Sequence, residues 1–204
     1  MSMLTMKNLP IILLILLLAA CAATSGSVDP RDARCDFDYD ELVIGDKLFA
    51  TKPDGTPVSG LVCQAHPQGR WISNYKNGNR HGLTSRYDSS GRLDMEANYK
   101  DGLMEGIARM YHPNGQLANE VNHKNGMQEG IEKRYDEDGT LRMEAVVKKD
   151  LFDGEFKLYD EAGKLQIIMI FEQDRPISGK CPSGKELSEE ELMDFAESGS
   201  LDCE

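Results

Sequence analysis

The same punctuation returns every 24 residues. "YKNGNRHGLTSRYDSSGRLDMEAN" begins at Tyr75, "YKDGLMEGIARMYHPNGQLANEVN" at Tyr99 and "HKNGMQEGIEKRYDEDGTLRMEAV" at His123. A period in the range of about 20–50 residues specifies an array of one supersecondary unit, because a unit this short cannot bury an apolar face alone and must stack on its neighbours. The spacing therefore restricts the fold before any residue is given a role.

The unit is legible in its turns. One series reads Asp54-Gly55, Asn77-Gly78, Asp101-Gly102 and Asn125-Gly126, then degenerates to Lys149-Asp150 and Gln173-Asp174. A second alternates with it at Gly69, Gly91, Gly115, Gly139 and Gly163. Asn-Gly and Asp-Gly tolerate positive φ and are hairpin signals between alternating apolar residues. Such residues stand at Leu93, Met95, Ala97 and Tyr99, at Leu141, Met143, Ala145 and Val147, and at Leu165, Ile167, Met169 and Phe171, with polar residues between the earlier ones. A period of two with one wet face is a half-buried strand. The expected fold is all-β: an elongated, single antiparallel meander sheet of repeated hairpins of about 24 residues, with a short C-terminal capping α-helix.

The pattern G-x-x-x-x-Y-x-x-x-G-x-L followed by Y/K-x-x-G-x-x-x-G, over Leu48 to about Gly179, resembles the MORN-repeat variant of bacterial YwqK-type proteins. The resemblance implies β-hairpin units in an elongated, twisted sheet, and an antitoxin-like role, since members of that group are often labelled antitoxins.

The last hairpin departs from the wet-face rule. Phe156 and Leu158 replace Glu132 and Arg134, while Ile168 and Ile170 replace Glu144 and Val146, which predicts an apolar second face in need of a cover. The tail supplies one: Ser188 and Glu191 form a capping box, Leu192, Phe195 and Ala196 an apolar stripe, and Gly199 a stop. The run Leu165 to Phe171 is uncharged and β-prone, so the tail is also expected to shield it as an edge.

At the other end, Lys7 precedes an apolar run from Ile11 to Leu18, too short to span a bilayer and typical of a signal peptide. Leu18-Ala19-Ala20-Cys21 resembles a bacterial lipobox, which implies lipidation of Cys21 and cleavage before it. The expected organisation is a signal peptide at 1–20, a tether and N-terminal segment at 21–40, the array at 41–180 and a stapled cap at 181–204. The expected address is the cell envelope, lipid-anchored, and the periplasmic face of the outer membrane if the source has two membranes. The other cysteines, Cys35, Cys63, Cys181 and Cys203, are even in number and flank the array, so disulfides are expected, preferably Cys35–Cys63 and Cys181–Cys203.

Losing Lys7 takes the formal net charge from −12 to −13. That excess repels phosphate backbones, so nucleic acid is not an expected partner. His66, His81, His112 and His123 are scattered over different units, and no nucleophile–base pair or phosphate loop is present. Asp36, Asp38 and Asp40 alternate like a calcium loop, but Glu41 and Lys47 stand where that loop needs Gly and Glu. No catalytic residue, metal, cofactor or small-molecule substrate is expected. What remains is surface: Trp71, Tyr75, Tyr87, Tyr99, Tyr111, Tyr135 and Tyr159 recur along the array as a candidate binding face. The expected function is a non-enzymatic, membrane-anchored envelope lipoprotein whose sheet is a scaffold or interaction surface for a protein or cell-wall partner; the alternative is an antitoxin or immunity protein that neutralises a toxin by direct binding.

Overall fold

A computed structural model describes residues 34–198 and Cys203. The signal segment, Cys21 and Gly199 lie outside the described residues, as does the side chain of Ala196. Three short strands come first: β1 (Phe37–Asp38), β2 (Val43–Ile44) and β3 (Ala50–Thr51). Then follow β4 (Gly60–His66), β5 (Gly69–Lys76), β6 (Asn79–Asp88), β7 (Leu93–Lys100), β8 (Leu103–Tyr111) and β9 (Leu117–Lys124). The series closes with β10 (Met127–Tyr135), β11 (Leu141–Lys148), β12 (Leu151–Tyr159), β13 (Leu165–Glu172), β14 (Arg175–Lys180) and one helix, α1 (Glu189–Ser198). Strands β4 to β14 are consecutive antiparallel neighbours in one sheet, and β1 adds to β4 as a two-residue parallel edge. The meander of hairpins is the expected fold.

Two kinds of turn make it. Lys76 pairs with Asn79 across Asn77-Gly78, whose φ values of 50° and 82° are positive at both central residues, as a two-residue hairpin of matching twist requires. Where glycine is missing the conformation persists: Lys149 and Asp150 sit at φ 51° and 69°, Gln173 and Asp174 at 49° and 66°. Bonds to the preceding hairpin offset that strain. Asp150 Oδ1 accepts the Gln128 N–H at 2.7 Å, and Asp174 Oδ1 accepts that of Phe152 at 2.6 Å, tying each degenerate turn to the hairpin before it.

The second kind is a four-residue turn closed from the glycine N–H, as from Gly91 to the Asp88 carbonyl at 2.9 Å. Asp54-Gly55 belongs here and not to the Asn-Gly series, since Gly55 N–H closes on the Lys52 carbonyl. After this turn comes a bulge: Tyr87 pairs with Leu93 while Arg86 pairs with Met95, leaving Asp94 as the extra residue. Leu93 is thus out of phase with Met95, where simple alternation puts them on one face.

Across the strands the register builds one row from Val62, Ser73, Thr84, Ala97, Ala108, Val121, Glu132, Ala145, Phe156 and Met169. The chain covers this face at both ends. Residues 34–58 cap the first end, where Ala50, Val58, Val62 and Tyr75 are buried with Phe37, Tyr39, Leu42 and Ile44 against them. Phe49 lies over Gly78, where a Cβ would collide with its ring. At the other end Leu192 and Phe195 of α1 pack on Phe156, Ile167, Met169 and Phe171. Disulfides hold both caps, Cys35–Cys63 with Cα atoms 5.8 Å apart and Cys181–Cys203 at 5.6 Å.

The tail thus caps the sheet, but not in the manner expected. Lys157 pairs with Ile168 and Glu155 with Ile170, so the two isoleucines fall on the opposite face from Phe156 and Leu158. Only the phenylalanine face meets the helix. Nor is β13 an edge: β14 pairs with it, and beyond β14 the Leu187 N–H bonds the Gly179 carbonyl at 2.9 Å. The edge is closed by strand addition, which apolar composition alone does not reveal.

Ser188 and Glu191 do form a capping box, with Glu191 N–H to Ser188 Oγ at 3.2 Å and Ser188 N–H to Glu191 Oε2 at 2.8 Å. The Ser188 backbone bond, then Lys185, holds the Glu191 carboxyl down at about 2. In the four-residue turns, the backbone N–H groups of Thr56, Arg92, Thr140 and Lys164 hold Asp54, Asp88, Asp138 and Asp160 below the usual carboxylate range. Depressed carboxyls contribute stability that is complete above the unfolded-state value and lost as pH falls through the folded one. Stability should therefore be flat near neutrality and decline from about pH 4.5 towards pH 2. Helix protection measured by hydrogen exchange should fall in that window; constant protection from pH 5 to pH 2 would show that the capping box does not hold α1.

Candidate functional site: an open groove between two caps

Between the caps the small-residue face is uncovered. Strands β7 to β10 leave a groove there of ≈ 660 Å³, lined by Met95, Met104, Ala108, Met110, Val121, His123, Glu132 and Arg134. It runs towards the helix cap through a second space of ≈ 540 Å³, which shares Gln128, Glu132 and Arg134 and ends at Phe152, Phe156 and Phe171. Alanine and valine in the central row make the floor, and methionines in the flanking rows make the walls. Methionine walls are apolar and adaptable, since the side chain is unbranched and polarisable.

Two polar residues interrupt this lining. Glu132 is only 4% exposed, on the floor between Val121 and Ala145. Its Oε1 accepts from Asn119 Nδ2 at 2.8 Å and from Arg134 Nε at 2.7 Å. At 24-residue steps its position is held by Thr84, Ala108 and Phe156, so packing does not require a charge there. Taking a carboxylate out of water costs several kcal/mol, and its arginine is itself half-exposed. His123 is 9% exposed, in the row that holds Tyr75, Tyr99, Val147 and Phe171 at equivalent places, and its Nδ1 has no hydrogen-bond partner. A buried polar atom without a partner is uncommon, and here it borders an open groove.

The sequence places His123 on the apolar face, as the structure does. Glu132, Asn119 and Arg134 escape a search for catalytic or metal spacing. Their signal is a break in the repeat: a charge at 132 where the other units carry Thr, Ala and Phe.

The aromatic series divides between two faces. Trp71, Tyr75 and Tyr99 share the groove face; Tyr87, Tyr111, Tyr135 and Tyr159 lie on the other, because the bulge shifts phase between them. Tyr75 is core of the N-terminal cap, Trp71 lies under the Arg86 guanidinium at 5.3 Å, and Tyr99 under Arg80 at 5.6 Å. On the far face the Tyr111 hydroxyl donates to Glu96 Oε1 at 2.8 Å, and burial together with this bond raises its pKa to about 12. The remaining histidines are dispersed: His66 accepts the Gln68 N–H, His81 lies 3.4 Å from Asp101, and His112 Nε2 meets the Tyr135 carbonyl at 2.8 Å. Among the described residues no three His, Cys, Asp or Glu side chains converge as a metal site, and no helix is long and apolar enough to cross a membrane.

The repeat family described as "MORN repeat variant" matches residues 80–101, 104–125, 128–149 and 152–173. The matched segments coincide with the pairs β6–β7, β8–β9, β10–β11 and β12–β13 and the turns between, so it is the body of the sheet that is similar to that family. No curated protein matches the chain. Among solved structures, one described as accessory secretory protein 1, 2 and 3 in Streptococcus pneumoniae is 10% identical with a TM-score of 0.21, over 70% of this chain and 22% of that one. The chain thus spans about a fifth of that protein, and a likeness at this score supports no functional argument.

Proposed function

We propose that the chain is a non-enzymatic envelope lipoprotein, anchored through acylated Cys21, that works as an interaction scaffold and receives a partner protein in the groove between its caps. The observation that carries the reading is selective coverage. The chain covers the row at Val62 and Tyr75 and again at Phe156 and Met169, but leaves open the groove between them, whose walls and floor include Met95, Met110, His123 and Glu132. An apolar segment bearing one hydrogen-bond donor or acceptor fits that lining, with methionines for contact area and His123 and Glu132 for orientation. The antitoxin reading uses the same groove with a toxin as occupant, and the captured partner's identity separates the two.

A photoreactive residue at Met110, which is 46% exposed on the groove rim, should give a discrete crosslinked adduct in intact cells. Glu132→Ala should weaken that adduct about tenfold or more while leaving thermal stability equal or higher, since Ala108 already fills the equivalent place. An adduct unaffected by Glu132→Ala would show that the groove is not the contact. Anchoring is tested separately by uptake of a clickable fatty acid, expected in the wild type and absent in Cys21→Ser; a wild type without label would remove the anchor and leave the groove reading standing.

A further inference from the structure

The face opposite the groove carries a row of alternating charge. The register aligns Glu96, Arg109, Glu120, Lys133, Glu144 and Lys157 on six successive strands, β7 to β12. Neighbours are paired: Arg109 reaches Glu120 at 2.8 Å and Glu96 at 3.3 Å, while Lys133 and Lys157 each lie 3.4 Å from Glu144. The row sums to zero on a chain of net charge −12. Beside it runs a second row in which Leu83, Ile107 and Ile131 are 43%, 40% and 52% exposed, alternating with Asn98 and Asn122 and continuing through Val146 and Glu155 to Ile170. Both caps lie on the other side and leave this one open.

We infer that this face is a two-fold interface between copies of the chain. A row of six alternating charges, read backwards, is its own complement. A two-fold axis parallel to the strands, passing between β9 and β10, reverses the row and places Glu96 against Lys157, Arg109 against Glu144 and Glu120 against Lys133 of the second copy. The same operation keeps position along the strands, so the second row meets itself reversed: Leu83 on Ile170, Ile107 on Val146, Asn98 on Glu155 and Asn122 on Ile131. An axis across the strands would instead set like charge on like. A two-fold contact must be self-complementary, and under this one operation every pair of the charged row is opposite in sign while the second row adds the apolar pairs Leu83–Ile170 and Ile107–Val146.

The dimensions are adequate. Six strands at about 4.8 Å and four side-chain rows at about 7 Å cover on the order of 800 Å² per copy, the standard size for a specific interface. Packed twisted sheets cross at about 30°, so contact is closest at the centre, around Glu120 and Lys133. The grooves face outward in such a dimer, so its existence does not depend on the function proposed above.

Charge exchange tests it. The full-length chain, purified in mild detergent, should sediment with twice the protein mass of one chain. Lys133→Glu alone opposes Glu120 with a like charge, and Glu120→Lys opposes Lys133; each variant alone should be monomeric at concentrations where the wild type is dimeric. Mixed one to one, the variants restore both central pairs across the axis and should again sediment as a dimer. Exposed pairs contribute little to folding, and unchanged melting of each variant checks that both fold. A monomeric wild type, a dimer indifferent to Lys133→Glu, or folded variants whose mixture stays monomeric would each overturn the assignment.

Discussion

Replacing Leu192 and Phe195 together by aspartate should undock α1 and enlarge the particle. Both side chains are buried against Phe156, Ile167, Met169 and Phe171, and the Phe156 and Phe195 rings lie 6.1 Å apart edge to face. Burial of each contributes about 1.5–3 kcal/mol, so the pair supplies most of what holds a ten-residue helix that could not persist alone. The cost is limited to docking, because β14 closes the strand edge independently and the sheet below remains paired. The released face then exposes three phenylalanines, Phe152, Phe156 and Phe171, already in mutual contact, a patch expected to drive association. Light scattering should show assemblies larger than the wild type. Hydrogen exchange should lose protection in α1 while the paired strands beneath it, β12 to β14, keep theirs. Leu192→Met with Phe195→Leu, which conserves volume, should cost less than about 1.5 kcal/mol and keep the wild-type size. An aspartate variant of unchanged size and protection would mean that the Cys181–Cys203 link, not the apolar contact, seats the helix.

How much of this could be read from the sequence depends on the range of each interaction. Asn77-Gly78 and its counterparts specify their hairpins locally, so the meander and its period follow from spacing. The helix start at Ser188 and Glu191 is equally local. Facing is not local: one bulge after each second turn, as at Asp94, moves every later side chain to the other side. That is why Tyr87 and Tyr99 part company, and why Ile168 turns away from the helix that Phe156 meets. The N-terminal cap repeats nothing, and its seat is a long-range contact, Phe49 on Gly78, with no signature in residues 34–58. The groove lies between these cases. Its position follows from where the caps end, but its polar pair follows from a comparison of units, since only the third copy, which begins at His123, carries a charge at the position of Glu132 and a histidine in the tyrosine row.

The same distinction predicts which glycine matters most. Gly69 stands at φ 145°, paired with His66 on one side and Asp88 on the other, and a Cβ there would run into the Tyr87 carbonyl oxygen and the Asp88 backbone, both at the end of β6 where it pairs with β5. Backbone cannot move aside as a flexible side chain can. Gly69→Ala should therefore cost at least 3 kcal/mol by order of magnitude, combining left-sided backbone strain with the loss of the β5–β6 ladder. Gly106 sits at φ 89° with nothing within 4 Å of an added Cβ, so Gly106→Ala should cost only the conformational term, about 1 kcal/mol. Because each hairpin touches only its neighbours, the damage at Gly69 should remain at its own end. The N-terminal cap and β4–β5 should separate from an array that stays folded from β7 onward, turning a single urea transition into two, the first of them carrying the fluorescence change of Trp71 in β5. Equal losses from the two alanine variants would show that the glycines are retained for φ alone, and that close approach between β5 and β6 places no limit on this end of the sheet.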